Sequence, residues 1–554
     1  MSRHRRGTRK GGGRRGAVVA GAFVATVGLG VGVGVWASTS GPSSGSGATA
    51  RASASGGASG GASASASGGA RSTPSTSRRP ASSYPLSSAP RTIPAVSSHT
   101  PARGPGWRPA PGYRVVVDDS RLADEGRLIA GELGIAYGGE AADARDGDVR
   151  LELGEEGAPE SYSVTVSGGK VTVSGASEAG VFYGTRTLKQ EVRGGGAAPE
   201  GVVRDAPAKA VRGFMLDIAR KNFSAEWIED RVRELGDLKF NQLGLHFSDD
   251  QGFRIASDAH PEVVSKVHLT KDEVRSIVAL ARSRHIEIVP EIDSPGHLGA
   301  VLAAHPELRL RNVNGVPTKG AVDISKPASA QIVDELLGEY TQLFPGSDWH
   351  LGGDEYQALT VPNPGALYPQ LATAARNTYG AGAGVSDLAT GWLNDRAKAV
   401  AGRTVRAWND GFYRGTAVQA AKDIQVAYWT GKELGARKPV EYLSAGREVV
   451  NYNDEFLYYV LGEPNTFVYP TGQRIYEQWN PRVLRGTAAV PSAYDSQILG
   501  GVFAVWCDLS NSQTQAQVAA GIRMPLRAVS QKLWDARKPG LSWAGFRELA
   551  GKVS

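Results

Sequence analysis

One cysteine, Cys507, in 554 residues excludes an intrachain disulfide and any thiolate-based zinc site. No His-x-His or His-Glu-x-x-His spacing occurs, so no metal site of a metal-dependent hydrolase is expected. Acidic residues are missing from the whole of residues 1–112, which hold 14 of the 62 Lys+Arg. The formal net charge of +7 is therefore a property of the tail. With 48 Lys+Arg against 55 Asp+Glu, residues 113–554 are acidic by about seven charges, and no basic footprint for nucleic acid is left. A chain without disulfides depends on a sizeable core, for which 442 residues suffice.

The tail has two segments. Residues 1–16 carry Arg3, Arg5, Arg6, Arg9, Lys10, Arg14 and Arg15, and residues 17–37 are uncharged and largely apolar. A basic segment followed by an apolar one is an export signal, with a cleavage site of the Val-Trp-Ala kind ending at Ala37. The 21 apolar residues are also long enough to span a bilayer, so residues 1–37 are expected to be a signal peptide or a membrane anchor. Residues 38–112 are Ser, Gly, Ala, Pro and Thr with scattered Arg. Too little apolar surface is present to offset ordering, which predicts a disordered linker spanning roughly 50 Å. The chain should thus be secreted or held at the cell surface.

Residues 113–205 read as a small α+β domain. Asp148–Leu153, Ser161–Val166 and Lys170–Ser174 alternate apolar and polar residues, as half-buried strands do, and Gly168-Gly169 makes a hairpin turn. A helix follows over Ser177–Arg193 with Ser177 as its N-cap. No His, Asp or Glu cluster occurs in this unit, which points to structural support.

Residues 206–554 change pattern. Strand-like runs at 212–217, 240–246, 286–293, 348–355, 404–410, 424–429, 448–453 and 501–508 are separated by longer stretches, most with helical periodicity. Eight strands with crossovers predict an α/β fold, a (β/α)8 TIM barrel preceded by the small α+β domain. Each run closes on polar or aromatic residues: Asp217, His246 with Asp249-Asp250, Glu291 and Asp293, Asp354-Glu355, Trp408-Asn409-Asp410, Trp429, Asn453, and Trp506 with Asp508. Active sites of such barrels form at the C-terminal strand ends. One strand ending in Asp is ordinary turn chemistry. Eight such ends with three tryptophans describe a carboxylate-rich, aromatic-walled pocket suited to a sugar.

Four motifs then resemble one family. Arg212-Gly-Phe-Met-Leu-Asp-Ile-Ala-Arg220, His246-Phe-Ser-Asp-Asp250, Glu291-Ile-Asp-Ser-Pro-Gly-His297 and His350-Leu-Gly-Gly-Asp-Glu355 resemble the family 20 glycoside hydrolases, exo-acting β-N-acetylhexosaminidases. The resemblance implies substrate-assisted retaining catalysis, in which the sugar's 2-acetamido oxygen is the nucleophile. Glu355 would be the acid, Asp354 the partner of the acetamido N–H, and Asp249 or Asp250 with His297 a relay tuning that acid. Arg212 matches an arginine on the 3- and 4-hydroxyls, Asp250 joins the binding set, and Trp408, Trp429 and Trp506 match the aromatic walls. Asp508 stands where an acid holds the 4- or 6-hydroxyl, and Tyr458 or Tyr459 where a tyrosine meets the acetamido oxygen. No cofactor and no metal is implied. Lys221-Asn222, Gly244-Leu245 and Trp506-Cys-Asp508 depart from the common pattern toward lacto-N-biosidases. The expected partner is a glycan ending in β-linked N-acetylglucosamine or N-acetylgalactosamine. The alternatives are a lacto-N-biosidase and a silent glycan-binding module.

Overall fold

A computed structural model describes residues 83–553 apart from 142, 155, 156 and 434. The export signal and most of the linker lie outside the described residues. Strands β1 (Ser98–Pro101), β2 (Arg114–Val117), β3 (Ala136–Glu140), β4 (Val149–Leu153), β5 (Tyr162–Ser167), β6 (Lys170–Gly175) and β7 (Gly201–Asp205) form one mixed sheet in the order β1-β7-β5-β6-β4-β2-β3. Gly168 and Gly169, both at positive φ, make the β5–β6 turn. Helices α1 (Ala123–Leu133) and α2 (Glu178–Gly195) pack on the sheet. Ser177 caps α2 by accepting from the Gly180 N–H, and Gly196 ends it in the left-handed conformation.

The sheet corrects the expected linker, which was to run to residue 112. Strand β1 pairs antiparallel with β7, and Ile93 and Trp107 are fully buried. Gln190 of α2 clamps Ile93 from both sides, accepting from its N–H and donating to its carbonyl, each at 2.7 Å. Backbone pairing and two apolar anchors order a segment whose composition alone reads as tether.

The second unit is a closed parallel barrel. Its strands are β8 (Val211–Asp217), β9 (Gln242–Ser248), β10 (Glu287–Ile292), β13 (Asp348–His350), β14 (Thr404–Trp408), β15 (Gln425–Tyr428), β16 (Val449–Asn451) and β18 (Ile498–Trp506), with a hairpin of β11 (Arg309–Arg311) and β12 (Pro317–Val322) inserted between β10 and β13. β8 pairs with both β9 and β18, and β16 pairs with β18 to close the ring. Helices α3 (Ala225–Asp237), α4 (Lys271–Arg282), α5 (Gly299–Ala304) and α6 (Pro327–Leu343) cross between early strands. Thr270 and Glu273 form a capping box on α4. The seventh wall is divided: β16 pairs with residues 498–501 of β18, and the short β17 (Tyr458–Val460) pairs with residues 504–506 above it.

The barrel's N-terminal floor sits on the small domain. Trp534, ending the helix Gln515–Trp534, enters the small domain's core, and its indole N–H donates to Asp205 at 2.9 Å. Fully buried Lys239 reaches the Tyr162 hydroxyl at 2.6 Å and the Thr187 hydroxyl at 2.9 Å, with Asp205 at 3.6 Å.

Candidate active site

The strand expected over 348–355 ends early. β13 stops at His350, and Gly352 and Gly353 turn the chain at φ 65° and 97°. Glycine is required at 352: an added Cβ would lie 2.0 Å from an Asp293 oxygen. Glu355 then adopts φ 47°, a conformation that is costly for a residue with a Cβ. The turn is held by the Gly353 N–H on Asp293 (2.7 Å) and the Glu355 N–H on Asp410 (2.9 Å). It sends the two adjacent acids to different surroundings. The Asp354 side chain is 16% exposed, whereas that of Glu355 is 58% exposed.

His297 lies between them, its Nε2 3.7 Å from Asp354 Oδ2 and 3.5 Å from Glu355 Oε2. Its Nδ1 faces Asp249 at 3.4 Å. Burial disfavours a charged imidazole here, but Asp354 and Asp249 outweigh it and hold His297 well above its usual range. His297, 3.5 Å away, holds Glu355 below its usual value. Asp249 is fixed by His246 (2.8 Å) and Arg220 (2.7 Å), so the relay runs Asp249–His297–Glu355.

Carboxylates crowd the Asp354 side. Burial, and then the Asp354 charge, push Asp293 well above its ordinary value; burial and Asp354 do the same to Asp410. Burial raises Asp354 as well, while the His297 charge and the neighbouring Asp293 oppose that rise. Asp410 accepts from the Trp429 indole at 2.9 Å.

Aromatic rings complete the walls. Trp408 is buried, its indole N–H donating to Glu291 at 2.8 Å. Trp429 stacks on Tyr458 at 5.7 Å and 6°, and Trp506 stands 5.7 Å from the same tyrosine. Tyr459 faces outward, its hydroxyl donating to Gln513 and its ring stacked on Tyr469, so Tyr458 is the tyrosine that faces the acids. A cavity of about 460 Å³ opens beside Glu355, lined by Asp410, Trp429, Glu433, Asp454 and Phe467. A second of about 490 Å³ lies on its other side, toward Tyr413 and Arg437.

Two expected site residues are not brought here. Arg212 opens β8 rather than following it, so it lies at the barrel floor, 1% exposed. There it pairs with Glu160 at 2.6 Å and donates to the Lys239 and Lys209 carbonyls. Asp250 turns away to brace a loop, accepting from the Gly299 N–H at 3.0 Å and pairing with Lys319 at 3.2 Å. The arginine at the rim is Arg220, eight residues on, joined to Asp217 (3.0 Å) and Asp249 and lying 5.4 Å over the Trp506 ring. Exposed Asp508 is close enough for its charge to act on Arg220. Strand direction was the signal that separates the two arginines. Asp293 and Asp410 were legible as strand ends, but not as carboxyls raised by burial beside Asp354.

Comparison with known proteins bears on the family and the fold. The model of the glycosyl hydrolase family 20 catalytic domain matches residues 210–537, and that of the family's domain 2 matches residues 89–206. The chain is 31% identical over 481 residues to a lacto-N-biosidase of Bifidobacterium bifidum, covering 84% of this chain and 41% of that protein. It spans less than half the length of the first curated relatives it matches. Among solved structures, the β-N-acetylhexosaminidase of Streptomyces coelicolor A3(2) superposes with a TM-score of 0.67 at 25% identity, covering 84% of this chain and 96% of that one. A Streptomyces plicatus β-hexosaminidase variant in complex with its product GlcNAc matches equally, at 0.67 and 25%, over 84% and 97%.

Proposed function

This chain belongs to glycosyl hydrolase family 20, and from that premise we propose that it is an exo-acting β-N-acetylhexosaminidase working by substrate assistance. One observation carries the reading: the turn at 352–355 sends neighbouring carboxylates to different surroundings. Most retaining glycosidases need two carboxylates about 5 Å apart across the scissile bond. Here one acid is sunk among Asp293, His297 and the aromatic walls, and its neighbour faces an open cavity.

Asp354, whose charge the neighbouring His297 favours, accepts the acetamido N–H and offsets the positive charge of an oxazolinium intermediate. The acetamido oxygen attacks the anomeric carbon, held by the Tyr458 hydroxyl. Glu355 gives its proton to the leaving oxygen, then takes one from water as that water opens the intermediate. In the free site His297 keeps Glu355 ionised, so the acid gains its proton as the bound sugar excludes water. Trp408, Trp429 and Trp506 supply apolar faces to the sugar and its acetamido methyl. Arg220 and Asp508 provide the charged end of the pocket for sugar hydroxyls, the role expected of Arg212.

A thiazoline mimic of the oxazolinium tests the mechanism: tight competitive inhibition is expected, and its absence counts against substrate assistance. A second reading, a lacto-N-biosidase releasing a disaccharide by the same chemistry, is favoured by the Bifidobacterium relative and by the exposed Asp508 beyond Trp506. Aryl N-acetyl-β-glucosaminide and aryl lacto-N-bioside separate the two; turnover of only the latter rejects the first reading. Residues 1–37 support export, as a secreted or membrane-anchored enzyme, checked by N-terminal mass spectrometry of the protein recovered outside the cell.

A further inference from the structure

The chain contains one tetrapeptide twice, Ala259-His-Pro-Glu262 and Ala304-His-Pro-Glu307. Both copies fold alike. In each, the histidine precedes a 3-10 turn that starts at proline, with His260 at φ −133°, ψ 63° and His305 at φ −121°, ψ 64°. The fold brings the copies side by side, with imidazole centroids 6.2 Å apart and nearly perpendicular. One oxygen of Glu262 lies 3.0 Å from His260 Nδ1 and 2.9 Å from His305 Nε2.

The outward nitrogens are oriented too. His260 Nε2 lies 2.8 Å from Glu335 on α6, and His305 Nδ1 lies 3.5 Å from Glu307. Glu335 is itself held by Gln331 at 2.9 Å. A histidine with one nitrogen on a carboxylate and the other aimed at a shared centre is the outer-sphere arrangement of metal-binding imidazoles. Three carboxylates surround two imidazoles, and among the described residues none of the three is ion-paired with Lys or Arg. A dication would offset that charge.

We propose that His260, Glu262 and His305 bind a divalent transition-metal ion of the zinc class, with water completing its coordination. Metal–ligand bonds of about 2.0–2.2 Å in a tetrahedral site put ligand atoms about 3.3 Å apart, so each imidazole nitrogen and the Glu262 oxygen need separate by only a few tenths of an ångström. Side-chain exposures of 14%, 43% and 26% leave the ion a path from solvent. The site is a staple, apart from the catalytic rim. It ties the loop after β9, which begins with Asp249, to the end of α5, which begins two residues after His297.

The test is zinc titration of the EDTA-stripped full chain by calorimetry, with thermal melting alongside. One zinc per chain and a Tm several degrees higher with zinc are expected. Both should vanish in His260→Ala and His305→Ala, and Glu335→Gln should weaken binding about 10–100-fold. Glu262→Gln gives a check that keeps both rings, and equal melting of the stripped variants and stripped parent shows that they fold. No zinc uptake, or only weak unsaturable uptake, overturns the proposal. So does uptake that survives His260→Ala with His305→Ala but is lost in His297→Ala, which would put the ion at the rim.

Discussion

The two ends of the barrel carry buried charge in opposite ways. At the floor, cations meet carboxylates: Arg212 with Glu160, Lys239 with Asp205, and Arg186 and Lys189 with Glu132 and Asp237. At the rim, Asp293, Asp354, Asp410 and Glu355 gather around His297, and the one arginine described there, Arg220, is already engaged by Asp217 and Asp249. Matched charge fixes the small domain against the barrel. Crowded like charge destabilises the free protein and, in the proposed reaction, keeps carboxylates ready for the positive charge that develops as the intermediate forms. Burial alone does not distinguish the two ends; the balance of sign does.

Glu355→Gln gives the largest expected effect: a fall in kcat on the order of 10²–10⁴-fold for substrates with poor leaving groups, at unchanged Tm. Steady-state rates across aryl leaving groups check it, and equal rates would remove the rim from the chemistry. Asp354→Asn follows, with kcat down on the order of 10²–10³-fold and Tm unchanged or raised as a buried carboxylate charge is removed. A lower Tm would mean that the carboxylate cluster holds the fold.

Arg212→Ala sharpens the contrast from the other end. Removing one partner of a buried pair costs about 3–5 kcal/mol, read as a lower midpoint in urea, with kcat/KM per folded molecule unchanged. A loss of kcat/KM without loss of stability would return Arg212 to the sugar site. The smallest effect is a pH dependence of stability. Burial pushes Glu191 from 4.5 up to about 8, so its contribution is full below pH 4.5 and is lost as pH rises to 8. Burial brings Lys239 from 10.5 down to about 8; above that pH the unfolded chain binds the extra proton, and stability recovers toward pH 10.5. Urea unfolding at pH 5, 7 and 9 should show a shallow minimum near 8. Glu191→Gln should remove its falling limb and Lys239→Met its rising one.

Much of this contrast was legible in one dimension. The barrel follows from the spacing of eight apolar runs, and the rim from what ends them. Arg212 and Arg220 were separable too, since a residue that opens a parallel barrel strand lies at the floor. The pairing of Asp293 with Asp354 was not legible, because they stand 61 residues apart and only the turn at Gly352 brings them together. Residues 83–112 hid their order for a similar reason: β1 is held by backbone bonds to β7, which composition does not encode.

The divided seventh wall has a mechanical consequence. Strand β16 closes the ring low down, and β17 carries Tyr458 above it after a six-residue excursion from Tyr452 to Leu457. The ring closes through β16 and β18, whereas the strand bearing the tyrosine pairs, among the described residues, with β18 only. A change of length or sequence in that excursion can shift that strand without opening the ring. In this fold the placement of Tyr458 and the closure of the barrel are set by different segments, and each can vary at its own pace.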